Sequence, residues 1–198
     1  GLDAALGALV AGGSVALLAP CSPAALADAV RRHGAEAVTI DRVMIDALVE
    51  DPAVTTLEPV RYLRCVGGAI SPDDVRRVRT RFGVTALGSY GRPEYGGEVV
   101  GWTIGDAAVD GDLKPGSAGR PVAGVELRVL RRDRTPADAG ETGELWVRSP
   151  FAMAGYVTDR VEPGTRVDAD GFVHVGDHGH VDRDGFLWID PGIDGSHA

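Results

Sequence analysis

The chain has 198 residues, 44% of them hydrophobic and 25% charged, enough for one good core or two small ones in an ordinary globular protein. Its formal net charge of -9 argues against a nucleic-acid backbone or an anionic membrane as the main partner, since both need clustered cations. No run reaches the ~18 apolar residues of a membrane span, and the apolar start lacks the basic flank of a signal peptide.

Gly1-Leu2-Asp3 opens without an initiator Met into a helical pattern over Asp3 to Ala11, as a chain would that starts inside a larger protein. Ser14-Val-Ala-Leu-Leu18 predicts a buried strand ended by Pro20. Ser22-Pro23 supplies a cap with proline at the first helical position, and the apolar period runs on to His33-Gly34. A strand over Ala37–Ile40 precedes a helix from Arg42 to Glu50, and a third strand over Tyr62–Val66 ends at Gly67-Gly68. Ser71-Pro72-Asp73-Asp74 starts a helix that stops at Phe82-Gly83, and Val84–Leu87 is a fourth strand. That helix carries acids in its first turn and Arg76, Arg77, Arg79 and Arg81 later, a solvated face that complements the helix dipole. Strands separated by helices of this length predict right-handed crossovers and a mostly parallel sheet, with ligands outside the carboxyl ends of the strands.

After Trp102 the pattern changes. Val125–Leu130, Gly143–Arg148, Phe172–Val175 and Gly185–Ile189 alternate or run apolar between clusters such as Asp168-Ala-Asp-Gly171 and Asp182-Arg-Asp-Gly185. The expected fold class is α/β: a mostly parallel sheet with flanking helices over residues 1–102, followed by a small distorted antiparallel β-barrel over 103–198. The single lysine, Lys114, sits in a turn sequence, and Cys21 and Cys65 share no metal or redox spacing. Both cysteines read as small apolar residues beside strands, which fits a reducing, cytoplasmic compartment.

Among candidate chemistry, Walker, serine-elbow, His-Glu-x-x-His and Cys-x-x-Cys patterns are absent from the sequence. His174, Asp177, His178 and His180 imitate a metal cluster, but Gly176 and Gly179 favour polar positions around a turn. Gly67-Gly68-Ala69 follows a strand and lets a flat ring approach bare backbone. Ser89-Tyr90-Gly91-Arg92-Pro93-Glu94 joins an aromatic face, a glycine and a carboxylate of the kind Mg²⁺ takes beside phosphates. Asp177, isolated after a glycine, suits ribose hydroxyls.

Taken in order, these landmarks resemble the acyl-adenylate-forming superfamily of acyl-CoA synthetases, luciferase-like enzymes and nonribosomal-peptide adenylation domains. Leu63–Pro72 resembles the family's strand, Gly-Gly-Ala and following helix, and Ser89–Glu94 its Tyr-Gly-x-Thr-Glu motif. Gly119-Arg-Pro121, Gly143–Val147 with Gly155-Tyr156, His174-Val-Gly-Asp177 and Gly185–Ile189 continue the match. The resemblance implies that Gly67, Gly68 and Ala69 line an adenine and acyl pocket, and that Ser89, Tyr90 and Gly91 flank the adenine, Tyr90 by stacking. It implies that Glu94 holds Mg²⁺ and serves catalysis, and that Asp177 accepts from the ribose. The implied reaction joins a small carboxylic acid to AMP from ATP and then to a thiol such as coenzyme A.

Three departures qualify that expectation. Pro93 replaces the family's Thr and supplies neither hydroxyl nor N–H, losing a phosphate contact worth roughly 1.5–3 kcal/mol. Val175 replaces the usual Thr before Gly-Asp. After Ile189 the family's Gly-Arg-x-x-Asp hinge is not matched, although Asp194 offers a hinge acid. The phosphate loop and catalytic lysine are expected in N- and C-terminal parts outside these residues, so the chain alone is expected to be a central, inactive piece. The alternative is a non-catalytic, degenerate adenylate- or acyl-binding module.

Overall fold

A computed structural model describes residues 2–19, 21–157 and 164–190 of the chain. It divides into two compact units, one made of residues 1–88 and 103–116 and the other of 89–102 and 117–198, so one of the crossings falls between Trp102 and Thr103. Asp194 and Pro20 lie outside the described residues. Among the described residues, no helix is long and apolar enough to cross a membrane.

In the first unit, α1 (Leu2–Val10), α2 (Pro23–His33), β1 (Ala37–Asp41), α3 (Arg42–Glu50), β2 (Tyr62–Val66), α4 (Pro72–Phe82), β3 (Thr85–Leu87) and α5 (Ile104–Asp110) follow one another. The strands form a parallel sheet in the order β1-β2-β3, with Ile40 opposite Cys65 and Arg64 opposite Leu87. Local chemistry sets the helix ends. Ser22 accepts from the backbone N–H of Ala25 at 3.2 Å, and Asp41 from that of Met44 at 2.8 Å. Ser71 and Asp74 form a reciprocal capping box, each side chain accepting from the other's backbone N–H, at 3.1 and 3.0 Å. Ile45, Leu48, Leu57, Leu63, Cys65 and Val78 fill the core between helices and sheet.

The arginine face of α4 is paired as well as solvated. Arg76 binds Asp73, Arg79 binds Asp112, and Arg77 reaches Asp46 at 2.7 Å. Asp74 is buried and accepts from the Ser71 hydroxyl at 2.7 Å, with Arg42 Nε at 3.1 Å.

The expected strand over Ser14–Leu18 does not form. Leu17 is 84% exposed, and only Leu18 packs against the core. A short apolar run becomes a strand only where a ladder partner takes its backbone groups, and among the described residues none pairs with it. Cys21 is likewise exposed and beside no strand, whereas Cys65 is buried in β2 as expected.

In the second unit, β4 (Tyr90–Arg92) runs into a 3₁₀ turn (Pro93–Tyr95) and then β5 (Gly97–Gly101). With β6 (Arg120–Pro121) these make an antiparallel sheet in the order β4-β5-β6. A second antiparallel sheet holds β7 (Glu126–Leu130), β8 (Gly143–Arg148), β9 (Arg166–Val167), β10 (Val173–His174), β11 (His178–Val181) and β12 (Leu187–Ile189). Its order is β12-β11-β8-β10-β9, with β7 also on β8.

The two Asp-x-Asp-Gly runs are turns of one construction. Asp168 Oδ1 accepts from the N–H of Phe172 at 2.8 Å, and Asp182 Oδ1 from that of Phe186 at 2.9 Å, and each turn delivers a fully buried phenylalanine. The expected barrel is not closed by these pairings. Closure needs every edge to find a partner; among the described residues β9 is paired on one side, and β12 meets β11 on one side and only a single bridge, Leu187 opposite Gly119, on the other. The arrangement is an open, branched antiparallel sheet.

Candidate functional site

Gly67, Gly68 and Ala69 form the turn that leaves β2 in the first unit, anchored by buried Ile70. Gly67 has φ 75°, the left-handed region that glycine enters without steric cost. Its neighbours Gly68 and Ala69 are half-buried and exposed.

Ser89–Glu94 and Asp177 belong to the second unit, and there the fold joins two runs far apart in sequence. Asp177 sits between β10 and β11, 8% exposed, with its carbonyl accepting from the N–H of Leu145 at 3.0 Å. Tyr90 Oη donates to Asp177 Oδ2 at 2.9 Å. Arg92 grips the same carboxylate through Nε to Oδ2 at 2.9 Å and Nη2 to Oδ1 at 2.5 Å. Tyr95, 1% exposed, places its hydroxyl 3.1 Å from that of Tyr90. Because Tyr90 spends its one hydrogen on Asp177, Tyr95 is the donor to Tyr90. The result is a directed chain from Tyr95 through Tyr90 to Asp177, closed from the other side by Arg92.

Charge states follow from burial. Burial first, then the neighbouring Tyr95 and Asp177, push the Tyr90 hydroxyl well above its ordinary value, so it is a neutral donor. Tyr95 is also pushed up, chiefly by burial. The hydrogen bond to Asp177 raises Arg92 further above its ordinary value. The resemblance assigns Tyr90 to adenine stacking; in this chain the residue is only 6% exposed, and its hydroxyl is engaged with Asp177.

Gly91 is where β4 meets β5 most closely. A Cβ there would lie 2.5 Å from Glu98 Cα and against the carbonyl of Gly97. The ladder shifts register between Tyr90 and Gly91, which turns the flanking side chains. Ser89 is half-buried and Pro93 exposed, with Pro93 opening the 3₁₀ turn that carries Glu94. Glu94 is buried at 7% exposure and accepts at Oε1 from Tyr156 Oη at 2.7 Å; Tyr156 Oη also lies 3.2 Å from Thr165 Oγ1.

The histidines are engaged elsewhere. His174 is 1% exposed, stacks on Trp146 at 5.1 Å between ring centres, and has Nδ1 2.8 Å from the carbonyl of Leu145. The carbonyl can only accept, so Nδ1 carries the proton. His178 contacts the Gly176 carbonyl at 3.0 Å and His180 stacks on Trp188 at 5.4 Å. Among the described residues, no group of three or more His, Cys, Asp or Glu is arranged to hold a metal ion.

Glu94 as a magnesium ligand fits a narrower chemistry. Mg²⁺ beside phosphates takes one or two carboxylates and completes its shell with phosphate oxygens and water. A lone buried carboxylate, oriented by Tyr156, suits that arrangement and not an all-protein cage.

Sequence reasoning named Tyr90, Arg92, Glu94 and Asp177, but it missed Tyr95 and Tyr156 as partners. Tyr95 carried a usable signal, an aromatic residue directly after the carboxylate. Tyr156 lies 62 positions from Glu94 and carried none.

Comparison with known proteins identifies the chain's relatives. A family profile described as an AMP-binding enzyme matches residues 1–157. The chain is 31% identical over 185 residues to the sulfoacetate–CoA ligase of Cupriavidus necator, covering 93% of this chain and 35% of that protein. Against the salicyl-AMP ligase / salicyl-S-ArCP synthetase of Mycobacterium tuberculosis it is 33% identical over 185 residues, covering 87% and 30%. Its structure resembles that of an amide bond synthetase from Marinactinospora thermotolerans, with TM-score 0.75, 30% identity, and coverage of 93% and 37%. It also resembles O-succinylbenzoate coenzyme A synthetase from Bacillus subtilis in complex with ATP and magnesium ion, with TM-score 0.75, 25% identity, and coverage of 96% and 38%. The chain therefore spans about a third of the length of the curated relatives it matches.

Proposed function

The chain belongs to the AMP-binding enzyme family, and we propose from that premise that it carries the adenosine- and metal-facing residues of an AMP-forming acyl-CoA ligase. The observation that carries this reading is the hydrogen-bonded union of Tyr90 and Arg92 with Asp177, 87 and 85 positions away. Such a buried carboxylate, fixed by neutral and charged donors, is suited to accept from the vicinal hydroxyls of a ribose. Ser89, Tyr90 and Gly91 flank the adenine in this reading, while Gly67, Gly68 and Ala69, in the other unit, offer bare backbone of the kind a flat ring can approach.

Glu94, oriented by Tyr156, would hold the nucleotide's Mg²⁺. Bound there, the ion would neutralise phosphate charge as a carboxylate attacks the α-phosphate. The acid is a small carboxylic acid and the thiol acceptor is coenzyme A. The 198-residue chain by itself binds nucleotide without completing adenylation, because it spans about a third of the length of its curated relatives and its single lysine, Lys114, sits in a turn sequence.

Two assays test this reading. Calorimetry is expected to detect AMP binding by the chain and its loss in Asp177→Ala; equal binding by both would refute the assignment of Asp177. An acyl-hydroxamate assay with ATP and a panel of acids is expected to stay at background, and robust product would refute the inactivity.

Pro93 supports a second reading, a non-catalytic adenylate-binding module. It opens the 3₁₀ turn in a position where its ring is accommodated, yet it offers phosphate no donor. In the ligase reading, Pro93→Thr tightens ATP more than AMP, by about tenfold for one charge-assisted hydrogen bond. Equal effects on both nucleotides favour the binding module.

A further inference from the structure

We propose that Arg92 occupies the ribose-accepting face of Asp177 and must turn off it before a nucleoside docks, so that Arg92 sets the nucleotide affinity of the chain. The inference rests on the reading of Asp177 as the ribose acceptor.

It follows from counting donors. An ionised carboxylate offers about four lone-pair positions. Three donors already converge on Asp177: Tyr90 Oη and Arg92 Nε at Oδ2, both at 2.9 Å, and Arg92 Nη2 at Oδ1, at 2.5 Å. A vicinal diol brings two more, and at most one position remains. One resident donor has to leave.

Burial decides which. Tyr90 is 6% exposed and chained to Tyr95, which is 1% exposed, so withdrawing its hydroxyl would break two buried hydrogen bonds in a site that water barely reaches. The Arg92 side chain is 27% exposed, against 8% for Asp177. Its guanidinium therefore has a route to solvent that the Tyr90 hydroxyl lacks. The exchange replaces two hydrogen bonds between opposite charges by two from neutral hydroxyls to the same carboxylate, which is unfavourable for the nucleoside. Arg92 is therefore a competitor of the ribose, and an apolar residue of similar length at this position relieves the competition.

The test uses adenosine, a neutral ligand with the diol and no phosphate, so that attraction of Arg92 for phosphate does not enter. Calorimetric titration of the wild-type chain, Arg92→Met, Asp177→Asn and the double variant is expected to give about five- to tenfold tighter binding for Arg92→Met, the scale of a partly exposed ion pair. The gain is expected to vanish in the double variant. Weaker or unchanged binding by Arg92→Met, with binding lost in Asp177→Asn, overturns the competition while leaving Asp177 as ribose acceptor. Adenosine binding that ignores Asp177→Asn, or is undetectable in all four proteins, overturns the ribose reading and this inference with it.

Should Arg92→Met fail to fold because it leaves the carboxylate underpaired, the wild-type chain still decides. Raising salt from about 50 to about 500 mM weakens the Arg92–Asp177 pair and is expected to tighten adenosine binding measurably. An affinity that is flat or falling with salt then overturns the proposal.

Discussion

Three glycines assigned to nucleotide contact are expected to respond to alanine in three different ways, and the order follows from geometry. At Gly91 the added Cβ lies 2.5 Å from Glu98 Cα, 2.7 Å from Gly97 C and against the Gly97 carbonyl oxygen. Ordinary carbon contacts are ~3.5–4.0 Å, so β4 and β5 must part by about 1 Å. The obstacle is backbone of a paired strand, with no flexible side chain to swing aside. Such overpacking costs about 2–3 kcal/mol. At Gly67 the Cβ meets nothing within 4 Å, but φ is 75°, and alanine in that region costs about 1–2 kcal/mol. At Gly68 the nearest atom is Arg42 Cβ at 3.7 Å, an ordinary contact, and alanine there is expected to be neutral or to stabilise by about 0.5 kcal/mol through the unfolded chain. Urea unfolding can follow the two units separately. Trp102, Trp146 and Trp188 all lie in the second unit, so tryptophan emission reports Gly91→Ala. The α-helices among the described residues all lie in the first, so far-ultraviolet ellipticity reports Gly67→Ala and Gly68→Ala. A Gly91→Ala midpoint no lower than that of the wild type would refute the close β4–β5 approach, and equal effects at Gly67 and Gly68 would refute the role of backbone conformation.

Two further outcomes are expected. Burial holds the His174 imidazole below its ordinary 6.5, so the fold favours its neutral form. The stability this contributes is fully present above pH 6.5 and is lost as pH falls from there through the lowered folded value. Glu144, Arg166 and His178 surround the ring, while Asp46 and Glu141, held down mainly by Arg77 and Arg131, contribute only at lower pH. The urea midpoint of the tryptophan signal is therefore expected to drop between neutral pH and mildly acidic pH in the wild type and to flatten there in His174→Gln; a flat wild-type profile would refute the linkage. Burial also pushes the Cys65 thiol up to about 11, whereas Cys21 is exposed. At mildly alkaline pH the native chain is expected to take one iodoacetamide label, at Cys21, and a second only on unfolding. Two labels at similar native rates would be incompatible with the buried thiol.

The parts of the fold that were legible in the sequence are those whose causes are local. Ser22-Pro23 and Ser71-Pro72-Asp73-Asp74 announce helix starts because the capping acceptors lie within three residues of the N–H groups they satisfy. Asp168 and Asp182 announce turns for the same reason, each satisfying N–H groups two and four residues on. The strand expected at Ser14–Leu18 was not legible, since strand formation depends on a partner elsewhere in the chain and apolar content says nothing of whether one is at hand. The open β9 edge of the second sheet was hidden for the same reason.

The site divides along the same line. Residue type singled out Tyr90, Glu94 and Asp177 as candidates, but not what each is bound to. Arg92 and Asp177 are separated by 85 positions, and no local signal in Ser89–Glu94 marks its arginine as the partner of a distant acid. That pairing changes the chemical meaning of Asp177. Read from sequence, Asp177 is an acceptor awaiting a ribose; in the fold it already accepts from three protein donors. An acceptor of that kind remains well oriented for a diol, because Tyr90 fixes one oxygen, but it binds only by exchange. A nucleotide-binding carboxylate thus has two separable properties, orientation and vacancy. Tyr90 and Tyr95 supply the first and Arg92 controls the second, and substitutions at these positions should move affinity in opposite directions.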